Sequence, residues 1–458
     1  MPTPLPPRPP TAPDVRSVVV VGAGLAGART VAALRDQGFD GRVTLIGAEG
    51  RAPYDRPPLS KHLFDRTEPA WLSDELGVDV LALADDVRLA TPATHLAVRP
   101  DGVTVATAGG DVDADAVVIA TGSRALRPAG WSGAVSLQTA DDAAALRARL
   151  APRTPPAQRT RPAQRTPPAQ RTRLVIVGAG WIGAEVAGIA AAEGVEVTVV
   201  EAAQSPLVAA LGAKVGGLTT GWYAAAGVRL LTGVPAAEVR ADGVRLADGS
   251  ELAADVVLAA VGARPDTTWL GAAVPREPDG SLLVDAGYGV MGLPSHVRAV
   301  GDVARRRSAR HGWVPGGHWD GALRSPDIAV RALLDGSGPG AATRPDDDFA
   351  PYVFSTQLGH DLAMFGLPVV DQQATDGQRA PDDVLLRGDP NGGAGWTALW
   401  FTARPRELTG SRELTGLLTV DRPRDVAAAR RLFAGPALPR LDPAVAADPS
   451  RPLRDALG

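Results

Sequence analysis

The sequence has 458 residues, a formal net charge of −4 and no cysteine. The missing cysteines exclude disulfides, thiolate nucleophiles, cysteine-ligated zinc and protein-bound iron–sulfur clusters. The mild acidity is unlike the basic excess of nucleic-acid-binding proteins, and no apolar run reaches the roughly 18 residues of a membrane span. We expect a soluble cytoplasmic protein, without a metal site, that begins with a disordered proline-rich lead over residues 1–15.

The first predicted element is a βαβ unit over residues 16–49. A short β-branched run predicts a buried parallel strand, and a GxGxxG motif directly follows it. The motif glycines are Gly22, Gly24 and Gly27. They allow a tight turn, close approach of a pyrophosphate and close packing of the helix, so that phosphates lie at the positive end of the helix dipole. Glu49 is the candidate for the ribose hydroxyls, although Ala48 stands directly before it.

A second unit of the same design covers residues 173–201, and its GxGxxG glycines are Gly178, Gly180 and Gly183. Glu201 ends the second strand, where an acid bonds the ribose hydroxyls. A carboxylate there repels a 2′-phosphate, and no arginine follows it in "EAAQSPL". The two motifs therefore predict two dinucleotide-binding domains, and we favour NADH over NADPH at the second.

Between these units lies "RTPPAQRTRPAQRTPPAQRTR", residues 153–173, an arginine-rich repeat whose prolines exclude a helix. It is interpreted as a solvated disordered linker. The alternative is a docking arm for an acidic partner.

Two shorter signals follow predicted strands. "DAVVIATG" places Thr121 and Gly122 after an apolar strand, and "HVRAVGDVA" places Asp302 after another. Ligands of an open α/β sheet collect at the carboxyl ends of strands, so Asp302 is expected to point toward a cofactor. The alternative is an ordinary turn aspartate. From about residue 345 the pattern changes to antiparallel strands followed by the helix "RDVAAARRLFA".

The two GxGxxG units, the ATG and the GD, in this order, resemble the two-dinucleotide-binding flavoprotein reductases. "RPPLSK", "GHWDGAL" and "VDRPRDVAAARRL", in a chain without cysteine, resemble more specifically the ferredoxin reductases of bacterial cytochrome P450 and Rieske dioxygenase systems. The resemblance covers roughly residues 16–152 and 172–436.

The predicted fold class is α/β, with two Rossmann-like domains and a C-terminal α+β domain. The resemblance implies that the first Rossmann-like domain binds FAD and the second binds NAD. We expect a discontinuous FAD domain over 16–126 and 260–340. The NAD domain is expected over 127–259, including the 153–173 insert, and the C-terminal domain over 341–458.

The resemblance also implies the site residues. The catalytic pair would be Lys61 and Glu185: a lysine beside the reactive N5 edge of the flavin stabilises the negative charge that arrives with hydride, and the carboxylate holds the lysine in place. Without the resemblance, Lys61 is an ordinary surface charge. The residues implied for FAD are Gly22, Gly24, Ala26, Gly27, Glu49, Lys61, Ala93, Thr121, Gly122, Asp302 and Trp319. Those implied for NAD are Gly178, Gly180, Gly183, Glu201 and Gly262.

Trp319 is implied to offer its main-chain N–H to the flavin ring, with a core aromatic as the alternative. The chain departs from the family pattern at Ala48, Gln138, Gly321, Ser325 and Phe354. These departures leave the fold intact and bear on FAD affinity and catalytic rate.

The expected reaction passes hydride from NADH to FAD and then single electrons to a [2Fe–2S] ferredoxin, because no cysteine pair is present to receive them. The cluster Arg305, Arg306, Arg307 and Arg310 is predicted to steer an acidic ferredoxin, or else is a solvated basic loop. Two alternatives stay open: an oxidase or quinone or small-molecule reductase of the same fold, and a non-catalytic nucleotide-binding remnant. We expect no nucleic-acid or membrane partner, and a monomer or homodimer.

Overall fold

A computed structural model of the chain describes residues 15–151, 171–336, 344–370, 381–403 and 410–458. The predicted disordered lead, apart from Val15, and the repeat insert up to residue 170 lie outside these residues. No described helix is long and apolar enough to cross a membrane. Within the described ranges, no group of three or more His, Asp or Glu side chains is arranged to hold a metal ion.

Helices and strands alternate along the three main described stretches of the chain. Residues 15–151 form β1 (Ser17–Val21), α1 (Leu25–Asp36), β2 (Arg42–Ile46), β3 (Tyr54–Asp55), α2 (Pro58–Lys61), β4 (Ala70–Trp71), α3 (Leu72–Glu75), α4 (Val80–Leu83), β5 (Asp86–Arg88), β6 (Ala93–Arg99), β7 (Gly102–Thr107), β8 (Val112–Ala114), β9 (Ala116–Ile119), β10 (Ser123–Ala125) and α5 (Ala140–Leu150). Residues 171–336 form β11 (Arg173–Val177), α6 (Trp181–Ala192), β12 (Glu196–Glu201), α7 (Val208–Gly217), α8 (Thr220–Ala225), β13 (Arg229–Thr232), β14 (Ala236–Arg240), β15 (Gly243–Leu246), β16 (Glu251–Ala253), β17 (Val256–Ala259), β18 (Ala263–Pro265), β19 (Leu282–Val284), β20 (Val297–Ala299), β21 (Ala304–Ser308), β22 (Gly312–Val314) and α9 (Trp319–Leu334). The described residues from 344 onward form β23 (Tyr352–Gln357), β24 (His360–Gly366), β25 (Asp383–Arg387), β26 (Trp396–Phe401), β27 (Arg412–Val420), α10 (Pro423–Leu432), β28 (Arg440–Leu441) and α11 (Pro443–Ala447).

The chain divides into two compact units. The first comprises the described residues of Met1–Asp55, Ala70–Ser123 and Arg264–Pro351, and the second those of Arg56–Pro69, Arg124–Ala263 and Tyr352–Gly458.

The first unit is built on a parallel sheet with the strand order β20-β9-β1-β2-β5. Its central strand β1 reads SVVVV and is buried after its first residue, as expected for a strand covered on both faces. Helices α1 and α9 pack against each other beside this sheet. The order brings the carboxyl ends of β20, β9 and β1 side by side, and the motifs predicted from the sequence follow these three ends.

The second unit contains a parallel sheet of order β13-β12-β11-β17. Helix α6 starts directly after the glycine loop that follows β11, and its Ala184, Val186 and Ala187 pack into the same apolar core as β11 and β12. This repeats the strand–loop–helix–strand design of β1, α1 and β2, so the second βαβ prediction is confirmed.

The same unit holds a mostly antiparallel six-stranded sheet, with the order β23-β24-β27-β26-β25 and with β28 paired to β27. Strand β26, WTALWF, is buried along its whole length. Beneath the sheet, Arg387 and Asp425 form a fully buried ion pair at 3.1 Å. The predicted class, two Rossmann-like folds followed by a C-terminal α+β fold, is therefore confirmed. The predicted domain boundaries stay predictions.

Candidate functional site

The first glycine loop has two tightly packed positions and one open position. A Cβ on Gly22 would overlap the carbonyl oxygen of Ala120, and one on Gly27 would overlap the carbonyl oxygen of Gly22. A Cβ on Gly24, by contrast, would meet no atom within 4 Å. Gly24 is the N-cap of the 12-residue helix α1 and no side chain caps it, so the first N–H groups of that helix face this open position. The loop therefore fits a pyrophosphate.

Asp302 lies in a short 3₁₀ turn, Gly301–Val303, just after β20. Its Oδ2 accepts a hydrogen bond from the Ser123 hydroxyl at 2.8 Å, and its Oδ1 accepts one from the Gly317 N–H at 3.1 Å. Thr121 follows the neighbouring strand β9, and its hydroxyl donates to the Asp266 carbonyl at 2.7 Å. The carboxylate is thus fixed at the edge of the sheet that carries the first glycine loop, as the sequence predicted.

The other residues predicted for FAD occupy the same unit, except Lys61. Ala26 is buried in α1, Ala93 opens β6, and Gly122, just after Thr121, has φ +68°. The Glu49 carboxylate accepts a hydrogen bond from the Tyr54 hydroxyl at 2.5 Å.

Trp319 is the first residue of α9, and its indole N–H donates to Asp55 Oδ1 at 2.7 Å. It is half-buried rather than a core aromatic. Its main-chain N–H is one of the groups that a helix leaves without an intrahelical partner, which is the feature that the predicted flavin contact needs.

The second glycine loop repeats this pattern. A Cβ on Gly178 or Gly183 would overlap a backbone carbonyl, whereas one on Gly180, the N-cap of α6, would meet nothing within 4 Å. The Glu201 carboxylate accepts hydrogen bonds from the N–H groups of Ala179 at 2.7 Å and Ala203 at 2.8 Å. The carboxylate therefore lies directly beside the loop. Gly262, predicted for NAD, follows the adjacent strand β17 with φ +106°.

Lys61 and Glu185 form an ion pair, as the resemblance implied. Lys61 ends the short helix α2, which begins at Pro58, and Glu185 lies on α6. The Lys61 ammonium donates to Glu185 Oε1, and the two side chains are 15% and 4% exposed. Burying two charges is costly unless further hydrogen bonds satisfy them. Here the Ser60 hydroxyl donates to Oε2 at 2.5 Å and the Ser355 hydroxyl donates to Oε1 at 2.5 Å.

Sequence reasoning did not identify Ser355. It lies on β23, 170 residues after Glu185, and no local motif connects them. The Phe354 ring next to it lies 5.2 Å from the Lys61 ammonium, which is within range of a cation–π interaction. Phenylalanine at this departure from the family pattern therefore keeps an aromatic face against the lysine.

Comparison with known proteins identifies the family. Residues 16–329 match the family described as pyridine nucleotide-disulphide oxidoreductase, and residues 352–457 match the one described as reductase C-terminal. The chain is 33% identical to the ferredoxin reductase component of chlorobenzene dioxygenase from Cupriavidus sp. (strain PS12), an alignment that covers 96% of this chain and 97% of that protein. The chain belongs to the ferredoxin reductase family of the pyridine nucleotide-disulphide oxidoreductases.

Two further relatives agree. The ferredoxin–NAD(+) reductase subunit of the benzene 1,2-dioxygenase system of Pseudomonas putida is 32% identical, over 96% of this chain and 97% of that protein. The covalent putidaredoxin reductase–putidaredoxin complex has 24% identity and a TM-score of 0.77, over 96% of this chain and 98% of that chain. At that identity it supports likeness of fold alone. Despite the family's broader name, this ferredoxin reductase family member has no cysteine and therefore no disulfide chemistry.

Three other departures from the ferredoxin reductase pattern have structural consequences. Gln138 accepts a hydrogen bond from the Ala125 N–H through its Oε1 at 2.7 Å. Gly321 and Ser325 lie on α9 and line a cavity of about 30 Å³, together with His318 and Tyr288. Burial lowers the pKa of His318 and raises the pKa of Tyr288 to about 12, so both groups are neutral at pH 7. The small residues on α9 thus leave a space of about the size of a water molecule.

The predicted basic cluster is only partly at the surface. Strand β21 alternates, so that Arg306 points inward while Arg307 points outward. Arg306 binds Asp348 Oδ1 at 2.9 Å, and the side chain of Arg310 is 4% exposed with its Nε 3.8 Å from the same carboxylate. The prediction that all four arginines steer a partner is therefore wrong for Arg306 and Arg310, because their charges are used internally. Arg305 and Arg307 remain available at the surface.

Proposed function

We propose that this chain is an NADH-dependent ferredoxin reductase that passes hydride from NADH to FAD and then single electrons to a [2Fe–2S] ferredoxin serving an oxygenase. The observation that carries the proposal is the pair of glycine loops, each with an open glycine at a helix N-terminus. Two such loops in one chain fit two dinucleotides. Because the chain has no cysteine, the electrons must leave to an external acceptor, and the two relatives from dioxygenase systems are named as ferredoxin reductases.

FAD is proposed to bind at the first loop. Its pyrophosphate would lie against Gly24 and the N-terminus of α1, its adenosine ribose near Glu49, and its ribityl chain at Asp302. Trp319 would offer its main-chain N–H to the ring. The remaining proposed FAD residues are Gly22, Ala26, Gly27, Ala93, Thr121 and Gly122. Bound FAD supplies the ability to accept a hydride and release its two electrons one at a time.

NADH is proposed to bind at the second loop, through Gly178, Gly180, Gly183, Glu201 and Gly262. Glu201 is already held beside the loop by two backbone N–H groups. A fixed carboxylate at that position accepts ribose hydroxyls and repels a 2′-phosphate, which favours NADH over NADPH.

The Lys61–Glu185 pair is proposed to be catalytic. Lys61 would stabilise the negative charge that arrives with hydride, and Glu185 would hold the ammonium in one direction. A surface lysine has no need of a buried carboxylate with three donors, so the exposures of 15% and 4% support this role over that of an ordinary surface charge.

Docking of the ferredoxin is proposed to use the outward-facing Arg305 and Arg307. An acidic [2Fe–2S] protein would be attracted to these charges, and the association rate would fall with added salt. Each NADH carries two electrons, so two ferredoxin molecules, or two visits of one, would be reduced per cycle with release of one proton.

The decisive experiment is an anaerobic titration of the yellow holoprotein with NADH. Loss of the visible flavin absorbance, followed by cytochrome c reduction that requires added [2Fe–2S] ferredoxin, is the expected result. Cytochrome c reduction without ferredoxin, or rapid oxygen consumption, would favour the oxidase alternative. A colourless protein that cannot take up FAD would overturn the proposal.

A further inference from the structure

We propose that Ser355 is a positioning residue for the Lys61–Glu185 pair and that Gln357 fixes the direction of the Ser355 hydroxyl. The inference rests on the proposed function, in which Lys61 acts on bound FAD. It adds to the site a strand of the C-terminal region, for which the sequence predicted only a third domain.

The hydroxyl of Ser355 lies against the one carboxylate oxygen that matters most. Glu185 Oε1 receives the Lys61 ammonium and the Ser355 hydroxyl, while Oε2 receives the Ser60 hydroxyl. Ser355 and Glu185 are each 3% exposed. Water therefore has little room to replace a lost donor, and the carboxylate depends on these three groups for its orientation.

Gln357 determines which way the Ser355 proton points. The Gln357 side-chain nitrogen donates to Ser355 Oγ at 3.0 Å, and Gln357 is 1% exposed. An amide nitrogen can only donate, and a serine hydroxyl carries a single proton. With its lone pair occupied by Gln357, Ser355 must direct that proton to Glu185.

A glycine in α6 brings β23 close enough for this contact. Gly188 lies nearly one turn after Glu185, and a Cβ there would come within 2.9 Å of the Leu358 backbone nitrogen. That distance is too short for any Cβ to occupy without a backbone shift. Gly188 therefore allows the strand end, and with it Ser355, to approach the helix that carries Glu185.

The proposal predicts that losing the Ser355 hydroxyl loosens Glu185 and lets the Lys61 ammonium wander. We expect Ser355→Ala to slow flavin reduction at saturating NADH by about tenfold, the effect of losing one hydrogen bond to a charged group. The KM for NADH should stay within about twofold, because Ser355 does not touch the proposed NAD loop. Ser355→Thr, which keeps the hydroxyl, should restore most of the rate.

The matched control is Thr419→Val. Thr419 lies in the same antiparallel sheet, is 1% exposed, and donates its hydroxyl to the Ala363 carbonyl at 3.4 Å, away from Glu185. This variant also removes one buried hydroxyl, so a general effect of loosening the sheet would slow it equally. We expect its flavin reduction rate to match that of the unmodified protein.

A second readout is independent of turnover. The chain has only two lysines, Lys61 and Lys214, so lysine labelled with ¹⁵N gives at most two side-chain ammonium signals in the holoprotein. Exchange of the Lys61 ammonium protons with water should accelerate in Ser355→Ala and in Gln357→Met, and stay unchanged in Thr419→Val. Exposed Lys214 serves as the internal reference.

The outcomes separate this inference from the proposed function. Normal flavin reduction in Lys61→Met would overturn the role of Lys61 itself. A slow Lys61→Met together with unchanged rate and unchanged ammonium exchange in Ser355→Ala would overturn the positioning role alone. In the Lys61→Met background, Ser355→Ala should cause no further loss of rate; an additional independent loss would show that Ser355 acts elsewhere.

Discussion

The Lys61 ammonium contacts the Glu185 carboxylate where both side chains are largely shielded from water, and one proposed consequence is catalytic. Replacing Lys61 with methionine should reduce the rate of flavin reduction by NADH at least ~100-fold, as loss of a preorganised charge does in other active sites. The flavin should stay bound, because the proposed FAD pyrophosphate site is elsewhere. Stopped-flow absorbance measures the rate. Lys214→Met, at an exposed lysine, is the control and should behave like the unmodified protein.

The contrast between Gly24 and Gly22 predicts two different defects. Gly24 has φ −89° and open space around its Cβ position, so Gly24→Val should change the free energy of unfolding by less than ~1 kcal/mol. Its side chain would occupy the proposed pyrophosphate position and abolish FAD binding. Gly22→Ala, at φ +116° and against the Ala120 carbonyl, should destabilise the fold itself. Chemical denaturation and the ratio of flavin to protein absorbance distinguish the two. A Gly24→Val protein that binds FAD normally would argue against this cofactor site.

Nucleotide preference is expected to depend on Glu201. In Glu201→Gln the repulsion of a 2′-phosphate is removed, and the ratio of kcat/KM for NADH over NADPH should fall by about tenfold or more. Glu196→Gln, at the exposed opposite end of the same strand β12, is the matched control and should leave the ratio unchanged. Steady-state rates with both nucleotides test this, and an unchanged ratio in Glu201→Gln would remove the structural basis for preferring NADH.

Asp348 predicts acid sensitivity of the first unit. Burial tends to raise the pKa of Asp348, but hydrogen bonds from Ser308 and Arg306 outweigh it and hold the pKa below the usual 3.8. A depressed carboxyl pKa stabilises the fold above the unfolded-state value, and that stabilisation is lost as pH falls through the lower folded-state value. Asp348→Asn should therefore be less stable than the unmodified protein at pH 7, with the difference shrinking below pH ~4. Denaturation curves at pH 7 and pH 3 measure it; a constant difference would contradict the assignment.

The buried Arg387–Asp425 pair predicts a large stability effect in the C-terminal sheet. The two side chains are 2% and 6% exposed, so Asp425→Ala would leave a buried guanidinium without its counter-charge and should cost about 3–5 kcal/mol. The exposed Arg240–Glu251 pair, at 44% and 60% exposure, is the comparison, and Glu251→Ala should cost less than ~1 kcal/mol. Similar losses in the two variants would show that burial does not decide the effect.

Local patterns carried most of the sequence prediction. The glycine loops, the strand ends bearing Thr121 and Asp302, and the C-terminal antiparallel strands each depend on residues close together in the chain, and the predictions for their structure are confirmed. The Lys61–Glu185 contact was reached only through resemblance, because no spacing rule connects two residues 124 positions apart. Ser355 was missed for the same reason.

The basic cluster shows a different limit. Four arginines within six residues indicate a charged surface when composition alone is considered, but a strand turns alternate side chains to opposite faces. The alternation of Arg306 inward and Arg307 outward in β21 follows from that rule. The inward partner, Asp348, lies some 40 residues further along and gave no signal at the arginines.

The shielding of Lys61 also makes the chain well suited to directed chemical attachment. Of its two lysines, Lys61 is held against a carboxylate at 15% exposure, whereas Lys214 on α7 is exposed. An amine-reactive reagent should therefore modify the Lys214 side chain well before that of Lys61. Immobilisation on an electrode through this single side chain would hold every molecule in the same orientation.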